Sequence, residues 1–258
     1  MADITSRYQG NVSDEGQVNW RGDQVTVAQG GQSIYETSSV QLAELGSRKV
    51  VGDRVFRYAL SGATITPGLI AARANEDAKH INTTLATNAV TGVKALTIIL
   101  TTSAAANYFS DGYVHVQTGT AGHIGMMYKI KSHGSIGDAG SGVFTLYDPV
   151  KVAINTGDKV TVSPSPYSKI VVLTDQTGPV VGIAPVSVAS GDYFWLQTWG
   201  PCAYVVGSAG VPVAGGQLVV GSAGMAETSA GATCFTIGYS VYQGTALEAQ
   251  LGWLTIAP

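Results

Sequence analysis

Short apolar runs alternate with glycine-containing turns through most of this 258-residue chain. Residues 50–59 show the pattern clearly, because two apolar runs flank the Gly52-Asp53 pair, which favours a tight hairpin turn. In the second run, Val55, Arg57 and Ala59 alternate with residues of the opposite face. Beyond residue 93 almost every segment has this strand-and-turn pattern. The chain is therefore predicted to be all-β, built from β-sandwich or barrel modules.

Residues 193–199 are predicted to form a strand that is covered on both faces. Alternation with period two separates the side chains into two sets, Tyr193, Trp195 and Gln197 on one face and Phe194, Leu196 and Thr198 on the other. Both sets are apolar enough to be buried. We therefore expect a sandwich or barrel strand whose outer side packs against another subunit.

An internal echo indicates two related β units. Segment 111–119 resembles segment 191–199, with tyrosine, glutamine and threonine repeated at an offset of 80 residues. Chance similarity is the alternative, since strands draw on few residue types. The pattern divides the chain into an extended N-terminal arm at 1–32, a first β domain at 33–165 and a second β domain at 166–258.

Two segments depart from the strand pattern. Residues 1–32 are polar and glycine-containing with few large apolar side chains, and we expect them to become ordered only against another surface. Residues 71–91 have an Ala-rich spacing that favours a short helix, whereas Thr83 and Thr84 oppose its continuation. The sequence leaves helix and extended chain open there.

Charge is low and unevenly distributed. Only 12% of residues are charged, and residues 1–80 hold 17 of the 31 charged side chains. No Lys or Arg follows Lys169. A nucleic-acid partner would require clustered Lys and Arg, so none is expected. A surface with so little charge favours coverage by other copies of the chain or by a partner, and we expect a homo-oligomer.

Targeting signals and disulfides are not indicated. The first residues lack the basic and apolar regions of a signal peptide, and the longest apolar stretches are too short to span a bilayer. No membrane partner is therefore expected. The two cysteines, Cys202 and Cys234, are too few for a disulfide framework and lie in apolar surroundings, which favours buried free thiols.

No motif supports catalysis, a cofactor or a metal. The loop 137–142 resembles the nucleophile loop of chymotrypsin-like proteases, but Ala139 occupies the position of the serine and Ser141 is displaced by two residues. The acidic pairs Asp14-Glu15 and Glu76-Asp77 are sequence neighbours that point in different directions, so neither forms a glycosidase dyad. P-loop and dinucleotide-binding patterns do not occur.

Histidines and aromatic residues leave two alternatives open. Three histidines, His115, His123 and His133, could form a metal site only if strands brought them together, because their spacing does not suit a local site. The aromatic cluster Tyr193, Phe194, Trp195 and Trp199 could form a platform on which sugars stack, although core or interface packing is the more ordinary role of such residues.

Several segments resemble proteins encoded among the structural genes of tailed phages. Residues 35–48 and 52–59 resemble the opening of such β-rich proteins, and residues 181–184 and 191–200 are similar to a segment of phage capsid decoration (cement) proteins. A glycine turn at 215–216, the strand 218–220 and Ile237-Gly238 match the C-terminal pattern of that family. Many decoration proteins are much shorter, so the length and the echo would imply two modules.

This resemblance implies a virion protein made in the host cytoplasm that sits on the outer capsid surface. Such proteins are often trimers that clamp neighbouring major capsid subunits, and the resemblance implies no catalytic residue. We expect the arm and the loops around residues 134–142 to lie across capsid subunit junctions. The alternative function is a carbohydrate- or receptor-binding β module of a phage fibre or adhesin, using Trp195, Trp199 and nearby tyrosines.

Overall fold

The computed structural model of the chain describes residues 31–74, 80–119, 122–174, 178–228 and 235–258. Within these residues the chain forms sixteen β-strands and no α-helix, so the predicted all-β class is confirmed. The strands are β1 (Arg48–Val51), β2 (Arg54–Leu60), β3 (Ile70–Arg73), β4 (Thr83–Leu85), β5 (Ala95–Ile99), β6 (Tyr113–Thr118), β7 (Met127–His133), β8 (Ser141–Leu146), β9 (Lys159–Ser163), β10 (Ile170–Val172), β11 (Val180–Ile183), β12 (Tyr193–Val205), β13 (Gln217–Val220), β14 (Ala226–Thr228), β15 (Thr236–Ser240) and β16 (Ala249–Thr255).

The chain folds as two compact units, one inserted into the other in sequence. The sheet unit combines the described residues up to Ala74 with Tyr167–Pro258, and the barrel unit is formed by described residues of Asn75–Pro166. The insertion is possible because β3 and β10 are antiparallel neighbours in the sheet unit, and the Ala74 amide donates to the Lys169 carbonyl. The chain therefore leaves and re-enters at adjacent points.

The expected division at 33–165 and 166–258 differs from this arrangement. Residues 48–60 and 70–73 form strands of the same sheet as β10 to β16, so the sheet unit is discontinuous in sequence. Local patterns reveal where strands lie but not which distant strand each one pairs with. The division by sequence order consequently separated strands that hydrogen bonding unites.

The barrel unit is a closed six-stranded barrel in the order β4-β5-β8-β7-β6-β9, with antiparallel neighbours. Closure occurs because β4 pairs with both β5 and β9, which leaves no strand with an unpaired side. Alternate residues fill the interior, among them Leu96, Ile98, Val114, Val116, Val160 and Val162, each at most 1% exposed. The barrel therefore has a packed core of its own.

The sheet unit is organised around the thirteen-residue strand β12. Its first half pairs with β2, and its second half pairs with β16. β11 also pairs with β12, at Ile183 and Gln197. The sheet curls so that its two ends approach each other. The turn Ser222–Gly224 beside β14 lies close to β3, since a Cβ added to Gly224 would lie 3.2 Å from the Ile70 carbonyl oxygen. A continuous core is thereby enclosed between the two ends of the sheet.

Both faces of the first half of β12 are covered, as the sequence of residues 193–198 predicts, but the chain itself covers them. Phe194 and Leu196 pack in one core cluster with Ile170 and Ala184, and Trp195 packs in another with Phe56 and Tyr58. The expectation that another subunit covers the outer side of residues 193–198 is therefore wrong. The covering residues come from the segment before β1 and from β2, which are distant in sequence.

The hairpin predicted at residues 50–59 is confirmed, and the helix considered at 71–91 is not formed by its described residues. Residues 70–73 are β3 and residues 83–85 are β4, while residues 75–79 lie outside the described chain. The alanines that resemble a helical pattern have another purpose. Ala71 and Ala72 are fully buried between β10 and β11, where small side chains permit close packing.

The two echoing segments both form strands, but their surroundings differ. β6 pairs with β7 and β9 in the barrel, whereas β12 pairs with β2, β11 and β16 in the open sheet. The two segments therefore share a strand and the turn before it, but their strands have different positions in the order of their sheets.

One glycine of β12 is required by close backbone contact. Gly200 has φ of +85°, and a Cβ at this position would collide with the carbonyl oxygen of Asp53 in the β1–β2 turn and lie 3.0 Å from its carbonyl carbon. Gly191, in the turn before β12, has a nearly equal φ of +87° but nothing within 4 Å of such a Cβ. An added Cβ at Gly191 would therefore meet only the unfavourable backbone conformation, whereas one at Gly200 would also meet a steric collision.

We expect Gly200→Ala to destabilise the protein much more than Gly191→Ala. The left-handed conformation should cost about 1–2 kcal/mol in both variants, and the collision with Asp53 should add a further 1–3 kcal/mol, roughly, only at Gly200. Urea-unfolding free energies measure the difference. Equal losses in the two variants would show that the β1–β2 turn does not press against β12.

Candidate functional site

The glycine loop that resembles a protease loop has a structural role. Asp138 Oδ1 accepts a hydrogen bond of 2.6 Å from the Ser103 amide, and the Gly140 amide donates to the Gly137 carbonyl. Ser141 is the exposed first residue of β8. These contacts use the polar groups of the loop to fix its own conformation, so they give no support to a nucleophile at Ser141.

The structure does not bring His115, His123 and His133 together as a metal site. His123 Nε2 lies 3.3 Å from Asp158 Oδ2, and both side chains are buried. His133 Nε2 accepts a hydrogen bond of 3.0 Å from the Phe109 amide, while its Nδ1 lies 2.6 Å from the Gly134 carbonyl oxygen. Among the described residues, no group of three or more His, Cys, Asp or Glu side chains could hold a metal ion.

His133 joins two loops of the barrel as a neutral ring. Because Nδ1 contacts a carbonyl oxygen and Nε2 faces an amide, the ring carries its proton on Nδ1. Burial lowers the pKa of His133 below its ordinary value of 6.5, partly opposed by the hydrogen bond to Gly134. Protonation at Nε2 would remove the acceptor for the Phe109 amide.

The acidic pairs considered in the sequence lie outside the described residues. This applies to Asp14-Glu15 and to Glu76-Asp77. Cys234 also lies outside them. Cys202, in contrast, is a buried free thiol, as expected, and burial raises its pKa to about 12 although Arg54 acts in the opposite direction.

Two residues of the expected sugar platform are buried in the core. Phe194 and Trp195 are both 0% exposed, whereas Tyr193 and Trp199 are partly exposed. The Trp195 indole meets the Tyr58 ring edge-on, with centroids 5.0 Å apart. A platform that uses Trp195 is therefore wrong, because a sugar cannot reach a fully buried ring.

Trp195 instead forms part of an anchor for the beginning of the described chain. Its Nε1 donates a hydrogen bond of 3.1 Å to the Gln32 carbonyl oxygen, and Lys49 Nζ donates to the same oxygen at 2.8 Å. Gln32 Oε1 accepts from the Tyr58 hydroxyl at 2.9 Å, and its Nε2 donates to the Tyr193 carbonyl at 3.0 Å. We name these five residues the Gln32 anchor.

The Gln32 anchor is buried despite its polar composition. Gln32 is 4% exposed and Lys49 is 7% exposed, and the Lys49 ammonium lies 5.2 Å from the centroid of the Trp195 ring. A buried amide or ammonium is tolerated only when hydrogen bonds or an aromatic face replace water. The sequence predicts Gln32 as the last residue of an extended arm, and this is wrong for Gln32, because it is buried and hydrogen-bonded within the sheet unit.

A second feature is an uncharged outer face on β12, β15 and β16. Pairing places Pro201, Trp253 and Tyr239 side by side, and Ala203 beside Leu251. Residues that alternate with them, such as Cys202, Tyr204, Gly252 and Leu254, are buried. We call Trp199, Pro201, Ala203, Tyr239, Leu251 and Trp253 the aromatic face.

Few charged residues occur in the C-terminal part of the chain, which carries most of the aromatic face. Residues 201–258 contain two charged side chains, Glu227 and Glu248. Glu227 is buried, and Glu248 lies one residue before β16. The Tyr239 and Trp253 rings are parallel within 5°, with centroids 6.4 Å apart. The sequence indicated the low charge of this region, but not which side chains would remain exposed on one surface.

The described residues include no helix of the length and hydropathy that would be needed to cross a membrane.

We expect stability to fall as pH decreases because of His133. The unfolded chain protonates this ring more readily than the folded protein does, so the contribution is complete above pH 6.5 and is lost as pH falls through the lower folded-state pKa. Unfolding free energies between neutral and mildly acidic pH should decline more steeply in the wild type than in His133→Gln. Parallel curves for the two proteins would contradict a neutral, buried His133.

We expect Cys202 to be unreactive in the folded protein. In a Cys234→Ser chain, where Cys202 is the sole thiol, an aromatic disulfide reagent at mildly alkaline pH should react at least about 100-fold more slowly than in guanidine. The reason is burial together with a pKa raised to about 12. Similar rates in both states would contradict the burial of β12.

Comparisons of the chain with protein-family models, with curated proteins and with solved structures gave no match.

Proposed function

We propose that this chain is a structural virion protein that binds the outer surface of an assembled phage capsid and stabilises contacts between major capsid subunits. The observation that carries the proposal is the Gln32 anchor. It places the end of a polar N-terminal segment against the buried first half of β12. The proposal also draws on the resemblance of residues 181–184 and 191–200 to capsid decoration proteins.

The anchor suits a segment that holds on to a neighbouring molecule. A rigid attachment point increases the binding free energy that an arm contributes, because less conformational freedom is lost on binding. Hydrogen bonds from Lys49, Tyr58 and Trp195 fix Gln32 to three separate strands. In the proposed mechanism residues 1–31 lie along a junction between capsid subunits.

The loop between β7 and β8 offers a second contact. Residues 134–140 are mostly exposed, yet Ile136 is buried and exchanges two backbone hydrogen bonds with Ala104. A loop that is exposed and held in one conformation loses little entropy on binding. We propose that it contacts the capsid as the arm does.

The stabilisation is thermodynamic. A protein that binds the assembled lattice and not the dissociated subunits shifts the equilibrium toward the lattice by mass action. Repetition over the shell adds avidity when copies are joined. In this proposal the chain is a homo-oligomer, with a trimer favoured, and it acts on the virion exterior without catalysis, cofactor, nucleic acid or membrane.

A carbohydrate- or receptor-binding module of a phage fibre is the second candidate. The parallel rings of Tyr239 and Trp253 on an exposed, uncharged face favour it, with Trp199 one strand away. Trp195 is no longer part of this candidate, because it is buried.

We expect deletion of residues 1–30 to abolish capsid binding while the protein remains folded and oligomeric. The deletion keeps Gln32 and Ile34, so the Gln32 anchor should persist. Co-sedimentation with capsids of the source phage should show at least about a 10-fold loss of affinity, equivalent to about 1.4 kcal/mol.

A chain in which a glycine-serine linker of equal length replaces residues 1–30 is the matched control. It should also fail to bind, because the proposal requires the sequence of the segment and not its bulk. Thermal unfolding and sedimentation velocity verify that both proteins are folded. If either variant bound capsids at full occupancy, residues 1–30 would not be required for capsid binding and this part of the proposal would be wrong.

A further inference from the structure

We infer that the aromatic face is where copies of this chain contact one another, with equivalent residues meeting around the rotation axis of the oligomer. The inference deepens the self-association within the proposed function and rests on that part of it alone. It names a surface that the capsid-binding argument does not use.

The aromatic face exposes apolar area that no described residue of the sheet unit covers. Tyr239 is 43% exposed and Leu251 is 38% exposed, although both lie on paired strands where buried neighbours alternate with them. Pro201 and Ala203 continue the face on β12, again without a charged side chain. A contiguous exposed apolar surface of this kind marks an interaction site more often than chance exposure does.

Loops at one end of these strands also carry exposed apolar side chains. The Gly244 amide donates to the Pro212 carbonyl at 2.8 Å, and the Leu247 amide donates to the Val206 carbonyl at 2.9 Å. These bonds hold two loops beside the end of β12. Their exposed apolar side chains are Val211, Val213, Tyr242 and Leu247.

Charge decides between another copy and a different partner. Near any rotation axis of a symmetric oligomer, a residue meets its own counterpart from the neighbouring copy, so a charged residue there repels itself. The aromatic face contains no charged residue, and Glu248 is the one exposed charged side chain in residues 201–258 among those described. Partners of other kinds are commonly selected by complementary charge, which this face does not offer.

Aromatic residues also suit a contact of this type. Tyrosine and tryptophan are enriched at the centres of protein interfaces, where charged residues are depleted. Tyr239 and Trp253 lie next to each other on paired strands and stack within 5° of parallel, which limits their freedom before contact. Little side-chain entropy is then lost when a second copy covers them.

The test is sedimentation equilibrium of the full chain and of charge variants on this face. The wild type should have a multiple of the 26.6 kDa chain mass, three times for the trimer favoured above. Leu251→Lys and Tyr239→Lys place like charges together in the contact and should each raise the dissociation constant at least 10-fold, an effect of about 1.4 kcal/mol.

Val143→Lys and Met127→Lys are the matched controls. Both residues are exposed apolar side chains on barrel strands, at 54% and 60%, and neither belongs to the aromatic face. These variants should associate as the wild type does. Mixing Leu251→Lys with Leu251→Glu should restore association, whereas misfolding of either variant would not be rescued by mixing.

Three results would overturn the inference. The first is a wild type that remains at 26.6 kDa at all concentrations, and the second is wild-type association of Leu251→Lys. The third is a monomer that binds soluble chito- or cello-oligosaccharides until Trp253→Ala removes the binding, which would assign the face to glycans. Capsid binding is measured on the deletion of residues 1–30, so either proposal can fail while the other stands.

Discussion

The first half of strand β12 must be buried on both faces, and the sheet unit is arranged to meet this constraint. Its backbone pairs with β2, β11 and β16, and its side chains from Phe194 to Thr198 have almost no solvent exposure. A strand in this position needs apolar cover above and below. The chain supplies that cover from segments distant in sequence, including the residues before β1.

The Gln32 anchor follows from the same constraint. Covering Trp195 brings backbone and side-chain polar groups out of water, and each must find a partner. The Gln32 carbonyl accepts from Lys49 and Trp195, while its side chain satisfies Tyr58 and Tyr193. Burial of Trp195 thus fixes Gln32, the residue at which the proposed arm joins the sheet unit. The proposed arm therefore has a rigid attachment point.

The second half of β12 faces a different situation. Its inner residues, Cys202 and Tyr204, are buried in the sheet core, but its outer residues meet no other segment among those described. Residues 201–258 contain few charged side chains, and this exposed face consists of apolar and aromatic residues without charge. In the proposed self-contact, another copy covers the outer face of the second half of β12, just as the chain itself covers Trp195 in the first half.

The sequence by itself determined the all-β class, the hairpin at residues 50–59, the double burial of residues 193–198 and the uncharged C-terminal region, because alternation and composition are local properties. It did not reveal the discontinuous sheet unit, the strands at 70–73 and 83–85, or Gln32 as part of the core. Only tertiary structure decided those features. Hydrogen bonds between residues more than a hundred positions apart, such as Trp195 to Gln32, leave no periodic trace in the chain.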